Sequence, residues 1–501
     1  MPAPNQQTLL FVDDHHILYR SGTRRNIHPM QRHGANPVIP PTHPWELAIG
    51  WMSVYRNPDS GQYQLWYQAY TAIQKPTPTP DTFVCYAESD DGLSWSKPAL
   101  GLFPYKDIAT TNIVMVGNGG HSIRYANSVV VDPADPDPDK RYKMGYFDFP
   151  PEGATPTPPG LWVAFSPDGI HWTKHPQAPL VAVAYFAHGD PVPFAGQPEA
   201  GPPWHVPLTM SDTVDIFWDP VRQLWAWYGK SWIDGPGGDM GWKHGMARTE
   251  STDFIHWSTP ELLLTPDDDD PPHLEFHSAP VFYCDGAYFC LNQVLDRATQ
   301  GGVIDIELGL SRDGLNFQRP FRKTLFLERN QDPAAFDAGC ILTNAAPVIL
   351  DDEIRFYYGG YDQGATGADD TQLTSGIGLA TLPRGRFAGI SPVPRSDHPT
   401  LPAPLEHIGQ VTLKPLDLTN VAALTLNADA SQGSIRVEIL TERGLRIAGF
   451  TKDDAHPISG DSLHHPVTWR AKSLANLGAG RFIVRIHLDR ATVYAAGLVE
   501  S

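Results

Sequence analysis

Four short stretches of this chain carry nearly the same pattern. Residues 89–95 read SDDGLSW, 166–172 SPDGIHW, 251–257 STDFIHW and 311–317 SRDGLNF. A pattern that returns at long, roughly regular spacing marks a repeat architecture, and few folds accommodate it. The residue types state the local geometry. Asp and Ser side chains bond nearby backbone N–H groups, Gly takes a positive φ, and the closing aromatic folds back to pack.

What precedes each turn is also repeated. WMSVYRNPDSGQYQLWYQAY and FVCYAE lead to the first, and NSVVVDPADPDPDKRYKMGYFDF and GLWVAF to the second. DTVDIFWDPVRQLWAWYGKSW and KHGMART lead to the third, SAPVFYCDGAYFCLNQVL and IDIELGL to the fourth. A fifth unit, NAAPVILDDEIRFYYGGYDQ with SGIGLATLPRGRF, replaces the turn. Each unit reads as an apolar strand, an Asp/Gly/Pro turn, an aromatic-rich strand, a variable loop and a third strand. Small antiparallel sheets that cannot bury both faces alone stack radially. The expected fold is therefore all-β, a five-bladed β-propeller over residues 41–395, preceded by a lead-in or capping strand in residues 1–40. After the Pro-rich GISPVPRSDHPTLPAPLE, short alternating strands predict a C-terminal β-sandwich over 405–501.

Composition narrows the partners. Formal net charge is −19, with 37 Lys and Arg against 56 Asp and Glu and no basic run, so a nucleic-acid partner is not expected. Four cysteines (Cys85, Cys284, Cys290, Cys340) sit in apolar strand-like runs without a CxxC pair and read as buried thiols. No apolar run reaches the ~20 residues of a membrane span. The start, MPAPNQQTLLFVDDHHILYR, lacks the basic and apolar regions of a signal peptide, which makes the cytoplasm the default location. Asp13, Asp14, His15 and His16 in VDDHHIL read as ordinary structure, since adjacent strand residues point opposite ways. The acidic run PDDDDPPH at 266–273 reads as a solvated loop, with a structural Ca²⁺ there as the one ion entertained; no other cofactor or metal is expected.

Three stretches carry a resemblance. VYRNPDSGQYQLWYQAY, DTVDIFWDPVRQLWAWY and the tail NADASQGSIRVEILTERGLRIAGF resemble the first blade, the middle blade and the sandwich of glycoside hydrolase family 32, whose propeller is shared by family 43. The usual catalytic motifs depart: WMSVYRNPDSG lacks the family's nucleophilic Asp, RYANSVVVDP lacks its Arg-Asp-Pro, and SDTVD stands where a Glu-Cys pair is usual. The resemblance implies a glycosidase, exo-acting on a fructoside, arabinofuranoside or related oligosaccharide. Alternatives on the same scaffold are a phosphorylase using Arg124, Lys243 or Arg248, a polysaccharide lyase using His244 or His277, and a propeller that only binds carbohydrate.

Glycoside hydrolysis needs two carboxyl groups facing each other across the bond. In a propeller, the beginnings of the inner strands line the mouth of the central cavity. The acids there are Glu46, Asp212, Asp215, Glu275 and Asp337, with Asn127, Asn344 and His277 as uncharged neighbours. Asp212, at the position of the related general acid, and Glu46, as nucleophile or base, are the expected catalytic pair, with Glu275 third. Asn127, Asp215, His277, Asp337 and Asn344 are expected to bind substrate or tune the acid. Trp45, Trp51, Trp204, Trp232 and Trp242 are candidate stacking platforms, Trp45 and Trp232 foremost. Oligomeric state is left open.

Overall fold

The computed structural model describes residues 6–71, 81–118, 127–149, 159–182, 210–233, 243–299, 301–322, 324–343, 346–365, 373–393 and 408–500. Among these there is no α-helix, only strands and two short 3₁₀ turns. The first three sequence units each form an antiparallel sheet of their own, running outward from the inner strands Ala48–Arg56, Asn127–Val131 and Asp215–Asp219. The fourth and fifth units, built around the hairpins Ala287–Asp296 with Val303–Ser311 and Glu353–Tyr361 with Ser375–Pro383, are joined through one parallel pair, Ile304 with Cys340.

The units close into a ring. Ala48–Arg56 touches both Asn127–Val131 and Glu353–Tyr361, and Asp215–Asp219 lies between Asn127–Val131 and Val281–Cys284. Polar bonds cross each junction near the axis. Ser53 Oγ donates to the Asn127 carbonyl at 3.1 Å, and the Ile216 N–H donates to Ser128 Oγ at 2.8 Å. Ser278 Oγ donates to Asp215, the Gln293 amide to the Thr343 carbonyl, and the Ile49 N–H to Ser375 Oγ at 3.0 Å. Hydroxyls near the inner-strand starts thus satisfy backbone groups that the gap between sheets would otherwise strand without partners. The apolar core lies between the sheets: Trp66 and Tyr86 pack on Met144 and Ala164, for instance, and Tyr228 and Met246 on Val281 and Cys290. All four cysteines are buried free thiols.

The repeated turn acts as an inter-unit bolt as well as a corner. In each copy the Ser hydroxyl accepts from the N–H two residues on and donates to the Asp, as with Ser89 Oγ to Asp91 Oδ1 at 3.0 Å and Ser166 Oγ to Asp168 Oδ1 at 3.0 Å. The Asp in turn accepts two further backbone N–H groups; Asp91 Oδ1 takes those of Leu93 and Ser94, each at 2.7 Å. The Gly carbonyl is then gripped by an aromatic of the preceding unit. Trp66 donates to Gly169 at 2.6 Å, Tyr228 to Gly314 at 3.1 Å and Tyr357 to Gly92 at 2.8 Å. In the third copy Phe254 holds φ at 68° where the others have Gly, and its buried ring meets Trp225 edge-on at 5.6 Å. Core packing outweighs the backbone cost at that position.

The C-terminal residues form a β-sandwich around one core. Its long strand Val421–Thr441 bends at two register shifts, pairing with Ile458–Pro466 and Thr492–Glu500 over its first half and with Arg481–Asp489 over its second. The N-terminal strands are divided between the two bodies. Gln6–Leu10, Ile17–Ser21 and Thr23–Ile27 pair within the sandwich sheet, while Gln31–Arg32 pairs with Ser375–Pro383 at the rim of the fifth unit. Leu10, Val12 and Ile27 from this segment pack with Phe282, Phe289 and Phe356, so apolar burial joins sandwich to propeller. Asp13 and Asp14, beside His15 and His16, are taken up by Arg312 and by Arg25 with Arg20. Asp267 and Asp270 of the acidic run are tied to Arg322 and Arg319, which makes that loop an anchored one.

Candidate functional site

Charged side chains gather where the third and fourth units meet, at the end of the ring where the inner strands begin. Asp212 stands just before the inner strand Asp215–Asp219, and Lys230 on the next strand reaches back to it, Nζ to Oδ1 at 2.5 Å. In the fourth unit Glu275 lies on the short strand Leu274–Phe276. It accepts from His244 Nδ1 at 2.6 Å, from the His244 backbone N–H at 3.3 Å and from Arg297 Nε at 2.6 Å. His244 sits opposite Trp232 in the strand pairing, and their rings lie 3.8 Å apart between centroids, tilted by 35°. Lys230, Glu275 and Asp212 all act electrostatically on His244, which places the two ion pairs in one field.

The electrostatics follow from burial and partners. Burial alone would raise Glu275, but the His244 hydrogen bond and the Arg297 charge outweigh it and hold the carboxyl down at about 2. Burial pushes His244 below the ordinary imidazole value, against the pull of Glu275, so the ring is neutral and donates its Nδ1–H. His277 is also pushed well down, by burial first and then by the cations Lys230 and Arg297. Asp215 is the opposite case. Burial pushes it up to about 8, with hydrogen bonds from Ser278 and the Ala279 N–H pulling only partly back. At neutral pH it is an uncharged carboxyl inside the axial ring.

A bulge between Gly50 and Met52, with Trp51 at φ 43°, tips the Trp51 indole across to the His277 ring at 5.6 Å. Trp51 also packs with Leu295, Ile304 and Cys340 of the fourth and fifth units.

Of the expected residues, Asp212, Glu275, His277 and Trp232 are brought together, with Asp215 one step inward. Others are elsewhere. Glu46 is buried in the first unit and fully engaged: Lys97 Nζ lies at 2.7 Å, Tyr67 Oη donates at 2.6 Å, and the N–H groups of Thr42 and His43 donate at 2.7 and 3.1 Å. Lys97 and His43 are its neighbours in the first unit, which take the place the sequence assigned to Asp212 as its partner. Asp337 is buried beside Arg32 at 2.7 Å and Tyr358 at 3.0 Å, where it fastens the rim strand of the fifth unit. Trp45 is 2% exposed, stacked on His43 and bonded to Asn112, and offers no face to a sugar. Asn127 is buried at the junction of the first and second units, its carbonyl accepting from Ser53. Arg248 pairs with Glu250 beside Tyr228. Asn344, Trp204, Trp242 and Arg124 lie outside the described residues.

Lys230 and Arg297 were not foreseen, nor was the coupling of His244 to Glu275. One signal was present: Lys and His interrupt otherwise buried aromatic strands in WAWYGKSW and KHGMAR.

No family model matches the chain, and no curated protein matches it. Among solved structures it is similar to a Bombyx mori GH32 beta-fructofuranosidase, at 12% identity over 95% of this chain and 94% of that one, with a TM-score of 0.40. A glycosyl hydrolase from Bacteroides ovatus shares 16% identity over 72% of this chain and 96% of its own, TM-score 0.44. A thermostable family-43 glycoside hydrolase shares 14% over 66% and 88%, TM-score 0.40. Likenesses this distant say nothing of chemistry, which rests on the side chains above.

Proposed function

We propose that the protein is a glycoside hydrolase, acting on the end of a furanoside or related oligosaccharide at the junction of the third and fourth units. The observation that carries this reading is the gathering of Asp212 and Glu275 from neighbouring units, each held by a cation and with a neutral histidine in the same field. Two fixed carboxyl groups are what hydrolysis of an acetal requires. Trp232 offers a half-buried ring beside them, and its buried indole N–H has no partner among the described residues. Arg297 is 38% exposed and marks the solvent side of the cluster.

The test is product formation on a panel of furanosides, pyranosides and uronides, with and without phosphate. Free sugar released without phosphate supports the reading. Sugar phosphate would instead make the protein a phosphorylase, and an unsaturated uronide a lyase. Binding without turnover on every member would contradict the hydrolase reading.

A further inference from the structure

Two nitrogens in the cluster are left over once its bonds are assigned. His244 is 3% exposed; its Nδ1 and backbone N–H both face Glu275, yet its Nε2 has no partner among the described residues. His277 Nδ1 is in the same state. A buried polar atom without a partner calls for an explanation, and a catalytic role is one of the few available. The two differ in support. Among the described residues no carboxylate is bonded to the His277 ring, whereas His244 has Glu275 at 2.6 Å, itself anchored by Arg297 at 2.6 Å.

From this arrangement we infer that His244 is the proton acceptor of the site, oriented by Glu275 so that its Nε2 lone pair takes a proton from the attacking water. The inference rests on the hydrolase reading and gives Glu275 a different part in it. Glu275 becomes a positioning residue, and Asp212 with Lys230 becomes the source of the returning proton. The step balances. The water O–H bond breaks and its proton goes to Nε2, while the water oxygen forms a bond to the anomeric carbon. The glycosidic C–O bond breaks with its electron pair on the leaving oxygen, and that oxygen takes a proton from the Lys230–Asp212 pair. Glu275 stabilises the imidazolium, and solvent resets both groups after the products leave. A neutral imidazole whose far nitrogen is fixed by a carboxylate is suited to such a task. The groups facing His244 are Glu275 and Arg297 from the fourth unit and Lys230 and Asp212 from the third, with His277 beside them.

The test begins without turnover. In protein labelled with ¹⁵N at histidine, NMR at pH 7 should show His244 neutral, protonated at Nδ1 and bare at Nε2. Glu275→Gln should disturb that signal, and a sugar from the panel should shift Nε2. A proton on Nε2, a charged ring at pH 7, or a bare Nε2 indifferent to every sugar that binds would overturn the inference. In turnover, His244→Gln should lower kcat about 100-fold or more with KM little changed, because the contribution of a general base falls on the chemical step. Added imidazole should restore part of the rate to His244→Ala. An unchanged kcat in His244→Gln would overturn the inference while leaving the hydrolase reading intact. Absence of hydrolysis by the unmodified protein would remove that reading, with the NMR result still separately decisive for the tautomer.

Discussion

Replacing Gly92 by Ala measures what the repeated turn contributes to the ring. Gly92 holds φ at 72°, and a Cβ built there meets Tyr357 Oη at 2.5 Å and Arg355 Nη1 at 2.8 Å. Tyr357, in the fifth unit, bonds the Gly92 carbonyl at 2.8 Å. The left-handed backbone costs an Ala about 1–2 kcal/mol. Displacing Tyr357 forfeits a buried hydrogen bond of about 0.5–1.5 kcal/mol. Together the loss should be roughly 1.5–3.5 kcal/mol. Gly286 is the control: its φ is 81°, and its added Cβ meets nothing within 4 Å, so Gly286→Ala should show only the backbone cost, about 1–2 kcal/mol. Urea unfolding of both variants reads the difference directly. Equal losses would refute the view that the turn joins neighbouring units, and reduce it to a local corner.

Three further expectations follow from the ionisable groups. Lys97→Met should cost about 3–5 kcal/mol by leaving the Glu46 carboxylate buried without its cation, while turnover per folded molecule stays unchanged; urea unfolding and kcat check the two halves. Asp215 binds a proton more tightly in the folded chain, so stability should decline as pH rises from about 4 towards 8, and Asp215→Asn should flatten that decline when unfolding is compared at pH 5 and pH 8. Asp91 is held down at about 2 by the backbone N–H groups of Ser94 and Leu93, so its contribution is present above about pH 4 and lost as pH falls towards 2. Asp91→Asn should therefore weaken the protein at pH 7 and lessen its acid sensitivity, measured by unfolding at pH 7 and pH 3.

The architecture was legible because its determinants are local. Ser, Asp, Gly and an aromatic at fixed offsets describe a turn completely, and alternating apolar residues describe the strands that lead to it. The candidate site was only half legible, because a carboxylate's role depends on what faces it across the fold. Glu46 and Asp212 look alike in sequence, both acids just before inner strands. Lys97, fifty-one residues further on, turns one into a structural anchor, while Lys230 keeps the other beside His244. Asp337 is decided by Arg32, 305 residues away. The third turn shows the reverse effect, where Phe254 departs from the repeated Gly and the fold absorbs it through a buried ring. Trp51 could not be placed on the axis from sequence, since its direction is set by a bulge that no local pattern announces.

The central claim is that the chemistry lies between the third and fourth units. It is tested most directly by the hydrolysis rate, on whichever panel sugar is cleaved, for Asp212→Asn, Glu275→Gln and Glu46→Gln compared with the unmodified protein. Asp212→Asn and Glu275→Gln should each lose about 100-fold or more of kcat, while Glu46→Gln, corrected for folded protein, keeps its rate. A full rate in Asp212→Asn, or a collapse confined to folded Glu46→Gln, would place the reacting bond elsewhere and contradict the account.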